Sequence, residues 1–501
     1  MPEILGYLAI ALPWVLAVLI PLCAMLTLLV GRRSAVYWVA AYFALLLYLP
    51  NNSFGLLDPL QDKNFYSRAT GTFYFSAINV MLFGLALQAF FARRLALPLP
   101  VVHNLRAPAI VFLAIFCGNL LVAQFLPRVH WTQVIGPSGL LNLFNFLLAF
   151  YVLTSAMREP RDFDRLIQLI MLCAVTRGVW GVVRFAALGG DPANFYANFQ
   201  DLNVRLTFFD INDNLIAALA LFIAAWRLLS GQCVGIGSRV MHLAIVALEL
   251  FIISFSYRRT AWGGLLLVII FLALCRPARQ RWWLLAVSFS AAIPWLSYKL
   301  AQRAGSKAQG GSWLERALPD VVQNGQISFT TGRFAELYAA WLSIKESPLW
   351  GLGLWGRYDG SRFSELAWHR GDFSYMHSGM LHIMLKSGLI GVLTVVAAML
   401  LLIHFVRQAR QGLDDRQRGV LYLGIAGLLF MLPNWLIGTP VIEFRTMQLM
   451  ALCMALPYMA MATVQQGRSS VVVEVERRRP WVFGIRPLPR QPALLQPQRR
   501  V

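Results

Sequence analysis

Arg258 and Arg259 stand side by side in a very short turn between two apolar runs. A guanidinium presents a fixed fork of donors that matches phosphate oxygens, so the pair has the chemistry to hold an anionic group. Snorkelling to lipid phosphates is the competing account. Arg205 leads into a polar cluster, Asn212, Asp213 and Asn214, at the entry to another apolar run. Asn and Asp are favoured helix N-caps. The cluster therefore either caps a helix or forms a notch where amides and a helix N-terminus meet a pyrophosphate. Asp210 and Asp213 offer a third reading, a divalent-metal pair. His377 precedes a long apolar run. There the positive end of a helix dipole opposes protonation, which suits a general base. His382, one turn further on, reads as packing, and His369 is a weaker candidate in a polar stretch. Arg177 and Arg184 lie seven residues apart inside an apolar run, hence on one helix face. Intramembrane charges line cavities or find partners, and Glu249 is the expected counter-ion for this charge group.

The elements that must position these residues are membrane helices. The chain is 58% hydrophobic and only 13% charged, with mean hydropathy +0.60, whereas a soluble domain is about one quarter charged. Apolar runs near the roughly 20 residues that cross hydrocarbon are expected at 6–30, 34–49, 73–92, 107–126, 138–157, 165–188, 212–229, 240–257, 260–275, 282–298, 379–406, 419–437 and 446–464. The predicted fold is an all-α polytopic membrane protein of about 12–13 transmembrane helices with one large periplasmic loop containing short helices. The organisation follows as an N-terminal helix at 1–30, a bundle at 31–298, the large loop at 299–378, C-terminal helices at 379–464 and a basic tail at 465–501. Putting the arginine-rich connections inside places the N-terminus outside and the C-terminus inside. Arg205, Arg258, Arg259, Arg333 and His377 then share the outer face. In the large loop, Phe334, Leu337, Tyr338, Trp341 and Leu342 fall at helical spacing and Pro348 ends the pattern. That stripe either lies on the membrane surface or packs on the bundle, packing being the expected role.

The net charge of +21 does not imply nucleic acid. The basic residues cluster at span ends, as membrane orientation requires. The tail, with Arg468, Arg477–Arg479, Arg486, Arg490, Arg499 and Arg500, reads as a disordered cytoplasmic extension near anionic headgroups. Six cysteines are scattered in or beside apolar runs without CxxC spacing. They behave as small core hydrophobes, so neither a disulfide framework nor a zinc site is expected.

Three stretches together resemble the O-antigen ligase and O-antigen polymerase superfamily of bacterial membrane glycosyltransferases. Arg205, followed by Asn212-Asp213-Asn214-x-x-Ala217, is similar to the family's Arg and Asn-Pro-Asn-x-x-Ala. Ser256-Tyr257-Arg258-Arg259-Thr260-Ala261-Trp262 is similar to its Ser-Arg-(Gly/Thr)-Ala turn. The third stretch begins at Thr331-Gly332-Arg333. It continues through Ser347-Pro348-Leu349-Trp350-Gly351-Leu352-Gly353, His377-Ser378 and Leu385-Lys386-Ser387-Gly388-Leu389-Ile390-Gly391. The likeness covers roughly 70–460, with the first span extra. Asp213 stands where the family has proline, and Ser378 where it has asparagine.

The resemblance implies a multi-pass protein of the bacterial inner membrane with its active site on the periplasmic face. It implies a metal-independent, GT-C-like glycosyltransferase with no cofactor. The donor would be an undecaprenyl-pyrophosphate-linked glycan. The acceptor hydroxyl would belong to a glycan, lipid A core or protein, in a polymerase or a ligase, alongside other polysaccharide-assembly proteins. By the same resemblance Arg205 and Arg259 bind the pyrophosphate, with Arg258 or Arg333 assisting. His377 would activate or orient the acceptor, with Asn212, Asp213 and Asn214 as polar support. A transporter or flippase of lipid-linked sugars would use the same arginines without His377. A metal-dependent lipid-linked sugar transferase would use Asp210 and Asp213.

Overall fold

The protein is an all-α polytopic membrane protein, described here from a computed structural model. The structure describes residues 32–48, 77–94, 104–126, 129, 131–136, 138–156, 160–192, 194, 204–306, 322–323, 326–327, 332–360, 372–374, 376–411 and 413–478. The apolar runs become helices α1 (Arg32–Tyr48), α2 (Ala77–Arg94), α3 (Arg106–Phe125), α4 (Trp131–Ile135), α5 (Leu140–Ala156), α6 (Pro160–Ala187) and α7 (Ile211–Leu229). They continue as α8 (Ile236–Ser254), α9 (Arg259–Leu274), α10 (Ala278–Ser306), α11 (Gly332–Ile344), α12 (Gly379–Ala409), α13 (Asp415–Ile437) and α14 (Phe444–Arg478). Seven of the described helices are long and apolar enough to cross a bilayer on length and composition. Two small antiparallel hairpins pair Val322–Gln323 with Gln326–Ile327 and Tyr358–Asp359 with Asp372–Phe373.

Helix α7 forms the centre of the bundle, buried continuously from Ile211 to Ala224. Lipid tails are as apolar as leucine, so tight helix contact depends on small residues that let backbones approach. Ala217, Ala218, Ala220 and Ala224 supply them on α7. On neighbouring helices glycines do the same. A Cβ at Gly264 of α9 would fall 2.2 Å from the Phe430 carbonyl of α13, and one at Gly424 of α13 would fall 2.2 Å from the Cys453 carbonyl of α14.

Helix α12 is broken at Gly388, whose φ of +62° and ψ of −162° interrupt the helical path. The break receives the segment after α11. Leu352 N donates to Leu385 O (2.7 Å), Leu389 N to Pro348 O (2.8 Å) and Ile390 N to Leu349 O (3.3 Å). The Lys386 ammonium, itself buried, donates to Leu354 O and Gly356 O at 2.9 and 2.7 Å. Non-helical backbone at membrane depth is tolerated only where protein satisfies it. Here the proline–glycine motif and the interrupted helix complete each other. Gly351 and Gly353, with φ of +72° and +85°, adopt the left-handed backbone that favours glycine.

Some boundaries differ from expectation. Helix α10 runs to Ser306, so the large loop starts later than 299, and α14 runs to Arg478 rather than ending at 464. The tail is therefore helical at 465–478; the remainder of it and the first span at 6–30 lie outside the described residues. The stripe of α11 is only partly packed, with Phe334, Leu337 and Leu342 half-buried. Tyr338 and Trp341 are exposed, whereas Ala335, Glu336, Ala339, Ala340 and Ile344 are buried. Small alanines allow α11 to approach the Tyr358 hairpin and α12 closely, which the bulky stripe does not.

Candidate active site

The entry to α7 is built as a helix cap. Asp210, in extended backbone, accepts from Asn212 N and Asn212 Nδ2, both at 2.8 Å, and Asn214 Nδ2 donates to Asp210 O at 2.8 Å. Asn212, Asp213 and Asn214 are all buried. What closes over them is Arg445, at the start of α14 and fully buried. Its guanidinium reaches Asp210 Oδ2 (3.1 Å) and Asp213 Oδ1 (3.0 Å), and also donates to Leu46 O and Leu47 O at 2.8 Å each. Arg177 Nε meets the same Asp213 oxygen at 2.7 Å, and Arg177 Nη1 donates to Tyr48 O at 2.5 Å. Two buried arginines and two carboxylates thus compensate each other while tying α1, α6, α7 and α14 together.

This corrects the expected charge group of Arg177, Arg184 and Glu249. Arg177 pairs with Asp213, and Arg184 pairs with Asp191. Both oxygens of Glu249 are buried and make no hydrogen bond among the described residues. The pairing fails because Asp213 stands on a closer helix face, and because Asp191 lies just past the end of Arg184's own helix. Asp191 Oδ2 in turn accepts from Phe209 N at 2.7 Å. Phe209 carries Arg258 above its ring, 4.7 Å from the centroid. Arg184 is therefore a buried anchor three contacts away from Arg258, through Asp191 and Phe209.

Arg205, Arg258 and Arg259 come from two segments laid against each other. Thr207 N donates to Phe255 O (3.1 Å), the Thr207 hydroxyl donates to Ile252 O (2.8 Å), and Val204 and Leu206 pack with Tyr257. Arg205 itself is exposed; Arg258 and Arg259 are half-buried. The turn between α8 and α9 passes through Tyr257 at φ +58°, a left-handed conformation that costs a non-glycine residue of order 1–3 kcal/mol. Burial of the ring against Val204, Leu206 and Trp262 holds it there. Ser256 Oγ accepts from Arg258 N at 3.3 Å, so Arg258 caps α9 and Arg259 opens it. Lys299 of α10 adds a further cation, with Nζ 4.8 Å and 5.2 Å from the ring centroids of Phe255 and Tyr257. Arg333 lies in the first turn of α11, and its side chain is outside the described atoms.

His377 stands immediately before Ser378, which caps α12 by accepting from Leu381 N at 3.3 Å. Its Nδ1 is 2.7 Å from Glu336 Oε2, and its backbone N–H donates to Glu336 Oε1 at 3.1 Å. The imidazole is 30% exposed whereas Glu336 is buried, so its other edge faces outward. His382 is buried, with Nε2 2.8 Å from Ser138 O, as a packing residue should be.

The connection from α13 to α14 touches both halves of this surface. A Cβ at Gly379 would meet Trp435 and Pro440 at 2.9 and 2.8 Å, which seats the His377 end of α12 on that connection. A few residues on, the Thr446 hydroxyl lies 2.6 Å from Glu443 Oε2 and 2.9 Å from Asn212 Oδ1, and the Thr439 hydroxyl donates to Glu443 at 2.9 Å. Burial, with the Asp210 carboxylate nearby, pushes the Glu443 carboxyl above its ordinary value, against the opposing pull of Arg258. Beneath, between α3, α5, α12, α13 and α14, lies an apolar cavity of about 220 Å³ lined by Phe112, Phe146, Ile383, Trp435, Met447 and Met450, among others.

Sequence reasoning missed Arg445, Glu336, Glu443 and Lys299. Arg445 had a usable signal, a lone arginine directly before an apolar run. Glu336 was hidden because attention to the aromatic stripe selects the opposite face of α11. No group of three or more His, Cys, Asp or Glu able to hold a metal occurs among the described residues.

A search of curated proteins finds no match. Residues 228–396, from the end of α7 to the middle of α12, match the O-antigen ligase family. That span holds Arg258, Arg259, Glu336, His377 and the motif docked at Gly388, and over it the chain is similar to the O-antigen ligase family.

Proposed function

We propose that this protein transfers a glycan from undecaprenyl pyrophosphate to an acceptor hydroxyl at the periplasmic face of the bacterial inner membrane, as a polysaccharide polymerase or O-antigen ligase. In this reading the anomeric C–O bond to the pyrophosphate breaks and the acceptor oxygen bonds to the anomeric carbon. The acceptor's proton passes to His377, and the leaving diphosphate keeps the electron pair. Arg205, Arg258 and Arg259, with Arg333 assisting, stabilise that charge, which is the largest electrostatic demand of the step. A positioned base contributes about 10²–10⁴-fold. The apolar cavity below Trp435 suits the carrier's isoprenoid tail.

The observation that carries the reading is the imidazole of His377, with an outward edge, seated on the same connection that reaches Asn212 and Glu443. A transporter has no use for such a base. The metal-dependent alternative is disfavoured because Asp210 and Asp213 are already engaged by Arg445 and Arg177.

The test is complementation of a deletion strain with His377→Ala and Arg259→Ala, reading the surface glycan. Loss of transfer with normal membrane insertion supports the reading, and unimpaired transfer by His377→Ala sinks it. A lone repeat unit left behind marks a polymerase, and full-length chains stranded on the carrier mark a ligase. Loss of transfer in chelator, with recovery on adding divalent metal, would instead favour the metal mechanism.

A further inference from the structure

We infer that Glu336 is a positioning residue for His377, holding the Nδ1–H tautomer so that the Nε2 lone pair faces the acceptor. The inference rests on the transfer reading above and names the group that makes its base work.

Glu336 sits one turn into α11 and is 2% exposed. A buried carboxylate is unfavourable unless its oxygens are well satisfied. Oε2 meets His377 Nδ1 at 2.7 Å, while Oε1 accepts from His377 N and from the Tyr358 hydroxyl, each at 3.1 Å. Two of these three donors belong to one residue. The carboxylate therefore fixes both the backbone and the ring of His377. Among the described side chains its ion-pair partner is His377 alone.

A carboxylate only accepts hydrogen bonds, so Nδ1 must carry the proton and Nε2 the lone pair. When Nε2 takes the acceptor's proton, the imidazolium carries N–H on both nitrogens, and Glu336 faces the new charge at 2.7 Å. The same logic orients the histidine of hydrolytic triads, recognised by geometry and not by sequence position. Four other titratable groups on the packed elements have partners of their own. His382 and Lys386 of α12 are turned onto Ser138 O and onto Leu354 O and Gly356 O. Tyr358 of the hairpin is bonded to Glu336 itself, and Glu443 of the α13–α14 connection is held by Thr439 and Thr446.

The test has two arms. In the first, the detergent-solubilised full chain is labelled with ¹⁵N-histidine, and the His377 signals among the seven histidines are identified by their loss in His377→Gln. The expected neutral form is Nδ1–H, weakened in Glu336→Gln. A wild-type Nε2–H tautomer overturns the inference even if no Glu336 variant folds. In the second arm, transfer from lipid-linked glycan extracted from the source cells is followed against pH. Glu336→Gln should lower the rate roughly 10²-fold, inside the range a base supplies. The shape of the pH profile should change with it, since the carboxylate that faces the ring at 2.7 Å is gone. Glu336→Asp should recover part of the rate. A Glu336→Gln protein with wild-type rate and pH profile, alongside an inactive His377→Ala, overturns this inference and leaves the transfer reading standing. An active His377→Ala overturns both.

Discussion

Arg445 Nη2 lies 3.0 Å from Asp213 Oδ1, and neither side chain is more than 2% exposed. The same carboxylate oxygen receives Arg177, so one aspartate on the central helix collects a cation from α6 and another from α14. Its carboxylate is what makes this clamp available.

Removing one partner from that clamp should be costly. Arg445→Met removes the ion pairs to Asp210 and Asp213 and frees the buried Leu46 and Leu47 carbonyls. A loss of about 3–5 kcal/mol is expected, visible as a sharply lowered melting temperature in detergent. Asp213→Pro should destabilise as well, because it removes the carboxylate that Arg177 and Arg445 share.

The docked motif predicts an intolerant glycine. A Cβ at Gly388 would fall 2.2 Å from Leu349 O in a backbone of φ +62°. Gly388→Ala should therefore lose the folded protein in a size-exclusion or melting assay. Gly118→Ala on α3, with nothing within 4 Å, should match the wild type.

Ser378 stands where the family has asparagine, and the structure uses it as the cap of α12. Ser378→Ala should cost about 1 kcal/mol, while Ser378→Asn, an equally good cap, should leave the melting temperature nearly unchanged.

Glu443 carries a pH prediction. Its folded-state carboxyl is raised above the ordinary value of 4.5 by burial. Above that value the folded chain retains a proton that the unfolded chain has released, so stability falls as pH rises from about 4.5 through the folded-state value. Glu443→Gln should remove that part of the slope in melting temperature measured across the window.

The arginine turn supplies a last contrast. Arg258→Lys keeps the charge over Phe209 but loses the planar fork, so transfer should fall while folding is maintained. Equal transfer by the lysine variant would show that a point charge suffices there.

Residue types alone set the membrane class and the helices, because a run of apolar residues can satisfy its backbone in lipid only as a helix. They also offered candidates for the chemistry. Arg258, Arg259 and His377 were legible from their types at the ends of apolar runs. Partnership was another matter. Arg177 reaches Asp213 across 36 positions, Glu336 reaches His377 across 41, and Arg445 reaches Asp210 across 235. Periodicity places a side chain on a face but does not say which helix stands opposite. Glu249 was a sound counter-ion by composition, yet packing left its oxygens without a hydrogen bond among the described residues. The face of α11 that turns inward was likewise decided by close approach, which small alanines permit, and not by hydrophobic bulk. Tertiary structure alone brought Glu336 beneath His377 and Arg445 over the cap of α7, since only packing chooses among partners of equal local chemistry.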